Sequence, residues 1–350
     1  MRSRLGTGSR CGPLGVDWRV SRLAALTVLT LWSMPAFAQD AEPALAPIGT
    51  YEVAERDFVW ARVGELELRA HEYRPKRTGR LPAAVDVHPG AWNHFDRNAG
   101  ALYDRALASA GLYVLAVDFR QGPDFQHPLA SRDVTAAVRW LRGQARALDV
   151  DPERIGLIGS SSGGHLALLA GVRPDAPEHQ GTPVALAPPP ERADGSDVDV
   201  AAAPSGFAPA DATPAGVAFV IALWPVTDPA YRYAYAQQVG RDELIAAHDA
   251  FFGSLEAMQA ASLPRLVRAK EAQALPPVLV VQPGADINVP QAMTLDFIDA
   301  YQGAGGELDY AFFPGLPHGF AHRPGPGTDD CIRRMRDFIA RRVDAAAAQE

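Results

Sequence analysis

Cysteine is nearly absent from this chain: 350 residues hold two, Cys11 and Cys331, too few for a disulfide scaffold or a four-thiolate zinc site. Basic charge is also short. With 33 Lys+Arg against 41 Asp+Glu the formal charge is −8, which argues against a nucleic acid held mainly by its phosphates. The apolar run Leu23 to Trp32 is shorter than the ~20 residues that span a bilayer. No internal repeat is found. What is abundant is core-forming material: 47% hydrophobic and 21% charged residues suit one large globular domain or two small ones and exclude a disordered or fibrous chain.

The first forty residues read as an address. Arg2, Arg4, Arg10, Arg19 and Arg22 stand with one acid, Asp17, ahead of the apolar run. Met34-Pro35-Ala36-Phe37-Ala38-Gln39 then places small residues two apart, the pattern of a signal peptidase site. A signal peptide over 1–38, cleaved after Ala38, and a periplasmic or secreted product without a stable membrane anchor are therefore expected. The alternative is an uncleaved anchor; a start assigned too far upstream would also explain the long basic segment. No Arg-Arg pair supports a twin-arginine signal. Cleavage would leave 28 basic against 40 acidic residues and one thiol, Cys331, so no internal disulfide would form.

Beyond a linker at 39–49, stretches near 53–60 and 65–73 flank Gly64. Leu66, Leu68 and Ala70 alternate with Glu65, Glu67 and Arg69, as in a hairpin strand with one wet face. Short continuous apolar runs follow at Ala83–Val87, Tyr113–Val117, Ile155–Ile158, Val217–Leu223, Val278–Val281 and Leu308–Phe313, the signature of strands buried on both faces. Helical periods lie between them, near 98–110, 161–171, 290–302 and 328–347, and along the stripe Val134, Val138, Leu141, Ala145, Leu148. The expectation is an α/β domain over 50–347: a mostly parallel twisted sheet opened by an antiparallel hairpin, with helices on both faces. Two segments break the rhythm. Residues 174–216 hold nine prolines and no apolar period, as an extended or mobile surface insertion contributing little to the core would, and 228–275 read as a small helical, cap-like excursion.

Chemistry concentrates in Gly159-Ser160-Ser161-Ser162-Gly163, which directly follows an apolar strand and precedes a helical run. A serine hydroxyl becomes a useful nucleophile when a sharp strand-to-helix turn exposes it beside a base, and such a turn tolerates only small neighbours. Only Ser161 has glycines two positions away on both sides. The alternative is a small-residue helix start without catalysis. For the base, His318 follows the last strand after a short turn; His322 is the rival, otherwise read as a solvated surface histidine. For the acid, Asp286 follows the strand at 278–281, with Asp228 the runner-up, and either residue could instead cap a helix. Oxyanion donors are expected at Gly90, Ala91 and Ser162, because Pro89 has no N–H, although His88-Pro89-Gly90-Ala91-Trp92 also fits an ordinary turn.

Taken in order, these motifs resemble the α/β-hydrolase fold, and within it carboxylesterases related to hormone-sensitive lipase and to bacterial acetyl-xylan/feruloyl esterases. The resemblance rests on His88-Pro89-Gly90-Ala91-Trp92, Asp118-Phe119-Arg120, Asp151-Pro152-Glu153-Arg154-Ile155 leading to Gly159–Ala167, Asp286 with Val289-Pro290, and His318-Gly319-Phe320. Pro89 replaces the family's first loop glycine. Gly284 and Asp286 stand one residue closer than the family's usual spacing, and 174–216 has no counterpart. The resemblance implies a serine carboxylesterase with catalytic Ser161, Asp286 and His318, acting on a small-molecule or polymer-linked ester with no cofactor and no metal. The excursion at 228–275 with Trp92, Asn93 and Phe95 is expected to wall the pocket, Trp92 touching substrate; Trp224 and Tyr231 could line an apolar acyl pocket, but core packing is the expectation for each. His88, Asp118, Arg120 and His165 would position loops. A serine exopeptidase on the same fold, or a binding protein that kept the fold without catalysis, are the alternatives.

Overall fold

The computed structural model describes residues 45–180, 185–189 and 213–347. The segment read as a signal peptide and most of the proline-rich insertion lie outside the described residues. Chain contacts set Met1–Glu42 apart from a body running from Pro43 to Glu350, to which every described element belongs.

Its described strands are β1 (Val53–Val63), β2 (Leu66–Pro75), β3 (Leu81–Val87), β4 (Tyr113–Val117), β5 (Val150–Ser160), β6 (Ala185–Leu186), β7 (Val220–Leu223), β8 (Val278–Pro283) and β9 (Leu308–Phe313). The described helices are α1 (Ala101–Ser109), α2 (Leu129–Gly143), α3 (Ser162–Val172), α4 (Pro229–Val239), α5 (Asp242–Phe252), α6 (Leu255–Ala260), α7 (Leu263–Arg268), α8 (Gln291–Gly303) and α9 (Pro326–Ala347). The strands form one sheet in the order β6-β1-β2-β4-β3-β5-β7-β8-β9. From β4 to β9 every pairing is parallel, whereas β1, β2 and β6 pair antiparallel at one margin. This is the expected class, a parallel sheet with an antiparallel opening.

The apolar runs explain the layering. Every residue of β3, β4, β7 and β8 is buried, so each strand feeds a core on both sides. Alternate residues divide between them: Val85, Leu115, Leu157, Val220 and Val280 face a core shared with α2, α3 and α8, and Ala84, Val114, Ile158, Ile221 and Val281 face one shared with α1 and α9. Each such Val, Leu or Ile side chain contributes about 1.5–3 kcal/mol of burial free energy. Helix α3 is buried on all sides. It is the helix that carries the serine motif forward, so the motif starts from a rigid support.

The stripe expected to run to Leu148 ends as a helix at Gly143. Ala145 and Leu148 remain buried, in the turn that follows. The described ends of the 174–216 insertion also depart from a loose surface segment. Ala185–Leu186 pairs with β1, and Trp140 Nε1 donates to the Ala187 carbonyl at 2.7 Å. Arg139 and Arg142 on α2 donate to carbonyls of Pro174, His179, Thr213, Pro214 and Gly216. Backbone carbonyls near a core must find donors, and two arginines supply them where proline-rich chain cannot build a ladder.

Candidate active site

Ser161 lies between the end of β5 and the start of α3 with φ 54° and ψ −118°, a conformation rare for a residue with a Cβ. It is held there from both sides of the turn. Its N–H donates to the Leu223 carbonyl at 2.8 Å, and its own carbonyl accepts from Val226 N–H at 3.2 Å. The flanking glycines are demanded by contact: a Cβ on Gly159 would fall 2.4 Å from the Gly163 carbonyl oxygen, and one on Gly163 would fall 2.0 Å from that of Val87. The same crowding presses the first turn of α3 against the exit of β3.

His318 and Asp286 come to this point from neighbouring strands, His318 after β9 and Asp286 after β8. His318 Nε2 is 3.0 Å from Ser161 Oγ, and Nδ1 is 2.8 Å from Asp286 Oδ2. The Asp286 side chain is 1% exposed, and its other oxygen accepts from the N–H groups of Asn288 and Val289 at 2.8 and 2.9 Å. An alcohol, an imidazole and a carboxylate thus form one hydrogen-bonded chain. Asp228, the alternative acid, is occupied elsewhere: it caps α4 through Tyr231 N–H and accepts from Ser262 Oγ at 2.8 Å.

The loop after β3 carries three consecutive positive φ values, Gly90 118°, Ala91 52° and Trp92 64°. A Cβ on Gly90 would fall 1.9 Å from the His94 carbonyl oxygen, so glycine is required there. Asn93 and His94 N–H both donate to the Gly90 carbonyl, closing the turn. Among the described residues the Gly90 and Ala91 N–H groups have no acceptor. Ser162 is the first residue of α3, where an N–H has no partner within the helix. Free backbone donors at a strained loop and at a helix start suit an anion that forms nearby.

Three expectations about this region are corrected. Trp92 is fully buried, stacked on Phe251 at 5.3 Å, and so is a core residue and not a pocket wall. His322 is not a solvated surface histidine. The 3-10 turn Phe320–His322 folds its ring against Trp224, at 5.5 Å, and brings Nε2 to 3.3 Å from Ser160 Oγ; burial drives its pKa down to about 4. Neutral and turned to Ser160, it is not the base facing Ser161. Trp224 is buried as expected, whereas Tyr231 is 43% exposed. Asn93 binds the carbonyls of Ala91 and Ala247, and Phe95 projects outward, 68% exposed.

The loop-positioning residues are all internally engaged. Arg120 forks onto Asp133, Asp118 accepts from Arg97, His165 reaches the Ala261 carbonyl at 3.0 Å, and His88 stacks on Phe119 at 4.2 Å. Sequence reading passed over Arg232, a fully buried cation on α4 beside Trp92, and Asp86, which accepts from Tyr103 beneath the same sheet edge. Neither belongs to a motif, and nothing adjacent in the chain marks them.

A serine on a strained strand-to-helix turn above a largely parallel sheet, linked through histidine to a carboxylate, defines the α/β-hydrolase class. Within it, residues 72–300 match the BD-FAE family model, and the chain belongs to that family. The chain is 27% identical over 269 residues to esterase LipC of Mycobacterium tuberculosis, covering 75% of this chain and spanning 59% of the length of LipC. Among solved structures, an esterase of Thermogutta terrifontis with propionate bound superposes with a TM-score of 0.59 at 21% identity, covering 83% of this chain and 94% of its own. Carboxyl esterase 2 of Tuber melanosporum gives 0.61 at 20% identity, with 84% and 88% covered. The expected kinship with α/β-hydrolase esterases is met.

Proposed function

We propose that the protein is an exported serine carboxylesterase. Ser161 Oγ attacks the ester carbonyl while His318 Nε2 takes its proton. The Gly90, Ala91 and Ser162 N–H groups receive the developing oxyanion, and His318 returns the proton to the departing alcohol. Water, activated by the same imidazole, then releases the acid from Ser161. Asp286 fixes the ring with Nδ1–H toward itself, which leaves Nε2 free to accept, and offsets the imidazolium charge. The reaction needs only water as a second reactant, and none of these steps calls for a metal or organic cofactor. Export rests on the basic, apolar and Ala-Phe-Ala pattern before Gln39.

The observation that carries this reading is the pair of bonds at His318, 3.0 Å to Ser161 Oγ and 2.8 Å to Asp286 Oδ2. Kinship with esterases supports the choice of an ester over a peptide bond. A fluorophosphonate probe should label Ser161 and no other residue, and the chain should hydrolyse p-nitrophenyl acetate. An unlabelled chain that turns over no ester would end the proposal.

A further inference from the structure

Behind the nucleophile, on the side of the sheet that faces α1 and α9, lies a second group of polar side chains. Ser160, Asp86 and Tyr103 are fully buried there. His322 Nε2 stands 3.3 Å from Ser160 Oγ, the Tyr103 ring packs 6.0 Å from the His322 ring, and Tyr103 Oη donates to Asp86 Oδ1 at 3.3 Å. A Cβ on Gly100, just ahead of α1, would fall 2.6 Å from Tyr103 Oη and 2.7 Å from Asp86 Oδ2, so glycine leaves the space this group needs. Buried polar groups are costly unless they bond one another, and apolar side chains would fill the same volume without that demand.

Its members belong to three separate parts of the site. Asp86 lies in β3, just ahead of the loop with Gly90 and Ala91; Ser160 directly precedes Ser161; and His322 closes the Phe320–His322 turn that follows His318. Trp224 adds a second connection. Its ring meets His322 at 5.5 Å and His318 at 6.0 Å, edge to face in both cases. The residue before it, Leu223, accepts the Ser161 N–H, and Trp224 holds φ 39° with its own N–H donated to the Val281 carbonyl at 2.6 Å. The strained turn at Ser161 is thus braced from behind by the same side chains that back His318.

We infer that His322 is a positioning residue of the acyl-transfer site: through its contacts with Ser160 on one side and Trp224 on the other, it fixes the separation of Ser161 Oγ from His318 Nε2. This rests on the acyl-transfer reading above. In this role His322 exchanges no proton with the ester and acts only through its two neighbours. Acylation and deacylation both pass through the Ser161–His318 pair, so a small displacement of that pair slows both steps and leaves the binding of the ester untouched.

The test measures kcat and KM for p-nitrophenyl acetate, the rate at which a fluorophosphonate labels Ser161, and the thermal midpoint. The variants are His322→Phe, His322→Gln, Ser160→Ala, and Ser160→Ala combined with His322→Phe. Phe keeps the ring against Trp224 and Tyr103 but loses the nitrogen, Gln keeps a polar group toward Ser160, and Ala removes the hydroxyl. His322→Phe and Ser160→Ala should each lower kcat and the labelling rate about tenfold with KM unchanged. The double variant should fall by about the same factor as either alone, because one contact is lost in all three. His322→Gln should recover most of the rate. Wild-type kcat in folded His322→Phe or Ser160→Ala would overturn the inference, and a lowered thermal midpoint beside that unmoved kcat would assign His322 to stability alone. Losses that multiply in the double variant would overturn it too. Should His322→Phe fail to fold, Ser160→Ala decides by the same criterion. Absence of ester turnover by the wild-type chain is a different result, which would remove the acyl-transfer reading and this assignment with it.

Discussion

The two margins of the domain are built on opposite principles. At the carboxyl ends of the parallel strands the backbone is strained: Ala91, Trp92 and Phe95 after β3, Ser161 after β5 and Trp224 after β7 all have positive φ. The antiparallel hairpin β1–β2 is instead laced with ion pairs, Arg69 to Glu67, Arg56 to Glu72, Arg105 to Glu55 and Lys76 to Glu52. A groove of about 1070 Å³ lies at this second margin, lined by Glu72, Arg74, Arg80 and Asp149 among others, far along the strands from Ser161. Positive φ in residues other than glycine is concentrated at the reactive edge, at five residues against Asp149 alone in the groove's lining, and a turn of that kind, costing about 1–3 kcal/mol, persists only where the surrounding core over-determines it.

The sharpest way to break this contrast is to remove the alcohol. Ser161→Ala should lower kcat for p-nitrophenyl acetate by roughly 10⁴–10⁶ with the fold intact by circular dichroism. Asp286→Asn should leave His318 in the wrong tautomer and lower kcat by about 10³–10⁴, again measured on the same ester.

Acid should weaken the interior before it alters the hairpin. His127, His165, His179, His248 and His322 are pushed by burial to about 3 or 4. In the unfolded chain they take up protons from about pH 6.5 downward. Between pH 6.5 and 4 the unfolded state therefore binds more protons at these sites, and stability falls as pH falls. Asp86, raised by burial to about 7, Asp104, raised well above the usual carboxylate range, and Asp133, raised by burial, contribute with the opposite sign but are fewer. The urea midpoint should report a net loss on the order of 5 kcal/mol between pH 7 and 4.

Gly163→Ala drives a methyl into the Val87 and His88 carbonyls and should cost about 3 kcal/mol, seen as a lower thermal midpoint. On the hairpin, Arg69→Ala breaks an exposed pair with Glu67 and should leave the thermal midpoint essentially unchanged, with kcat/KM for the ester unaltered. An effect on turnover from that distant pair would show that the two margins are coupled.

Much of the fold was legible because buried parallel strands require continuous apolar runs. The run at Leu308–Phe313 coincides with β9, and that at Tyr113–Val117 with β4. Elements whose partners lie far along the chain were less visible. Ala185–Leu186 becomes a strand only because β1 offers a free margin, and no local pattern announces it. Trp92 and His322 were misread for the same reason. Whether an aromatic ring faces solvent or the core depends on what packs over it, and for these two residues the cover comes from α5 and from Trp224.

The sequence by itself determined the class of fold and the candidates for reaction, since glycine spacing and apolar runs express local sterics and burial. Tertiary structure decided which histidine meets Ser161, which aspartate meets that histidine, and which histidine meets Ser160. Those choices depend on distances between segments from about thirty to more than a hundred and fifty residues apart, which follow from how the strands order themselves in the sheet and are written in no single stretch of chain.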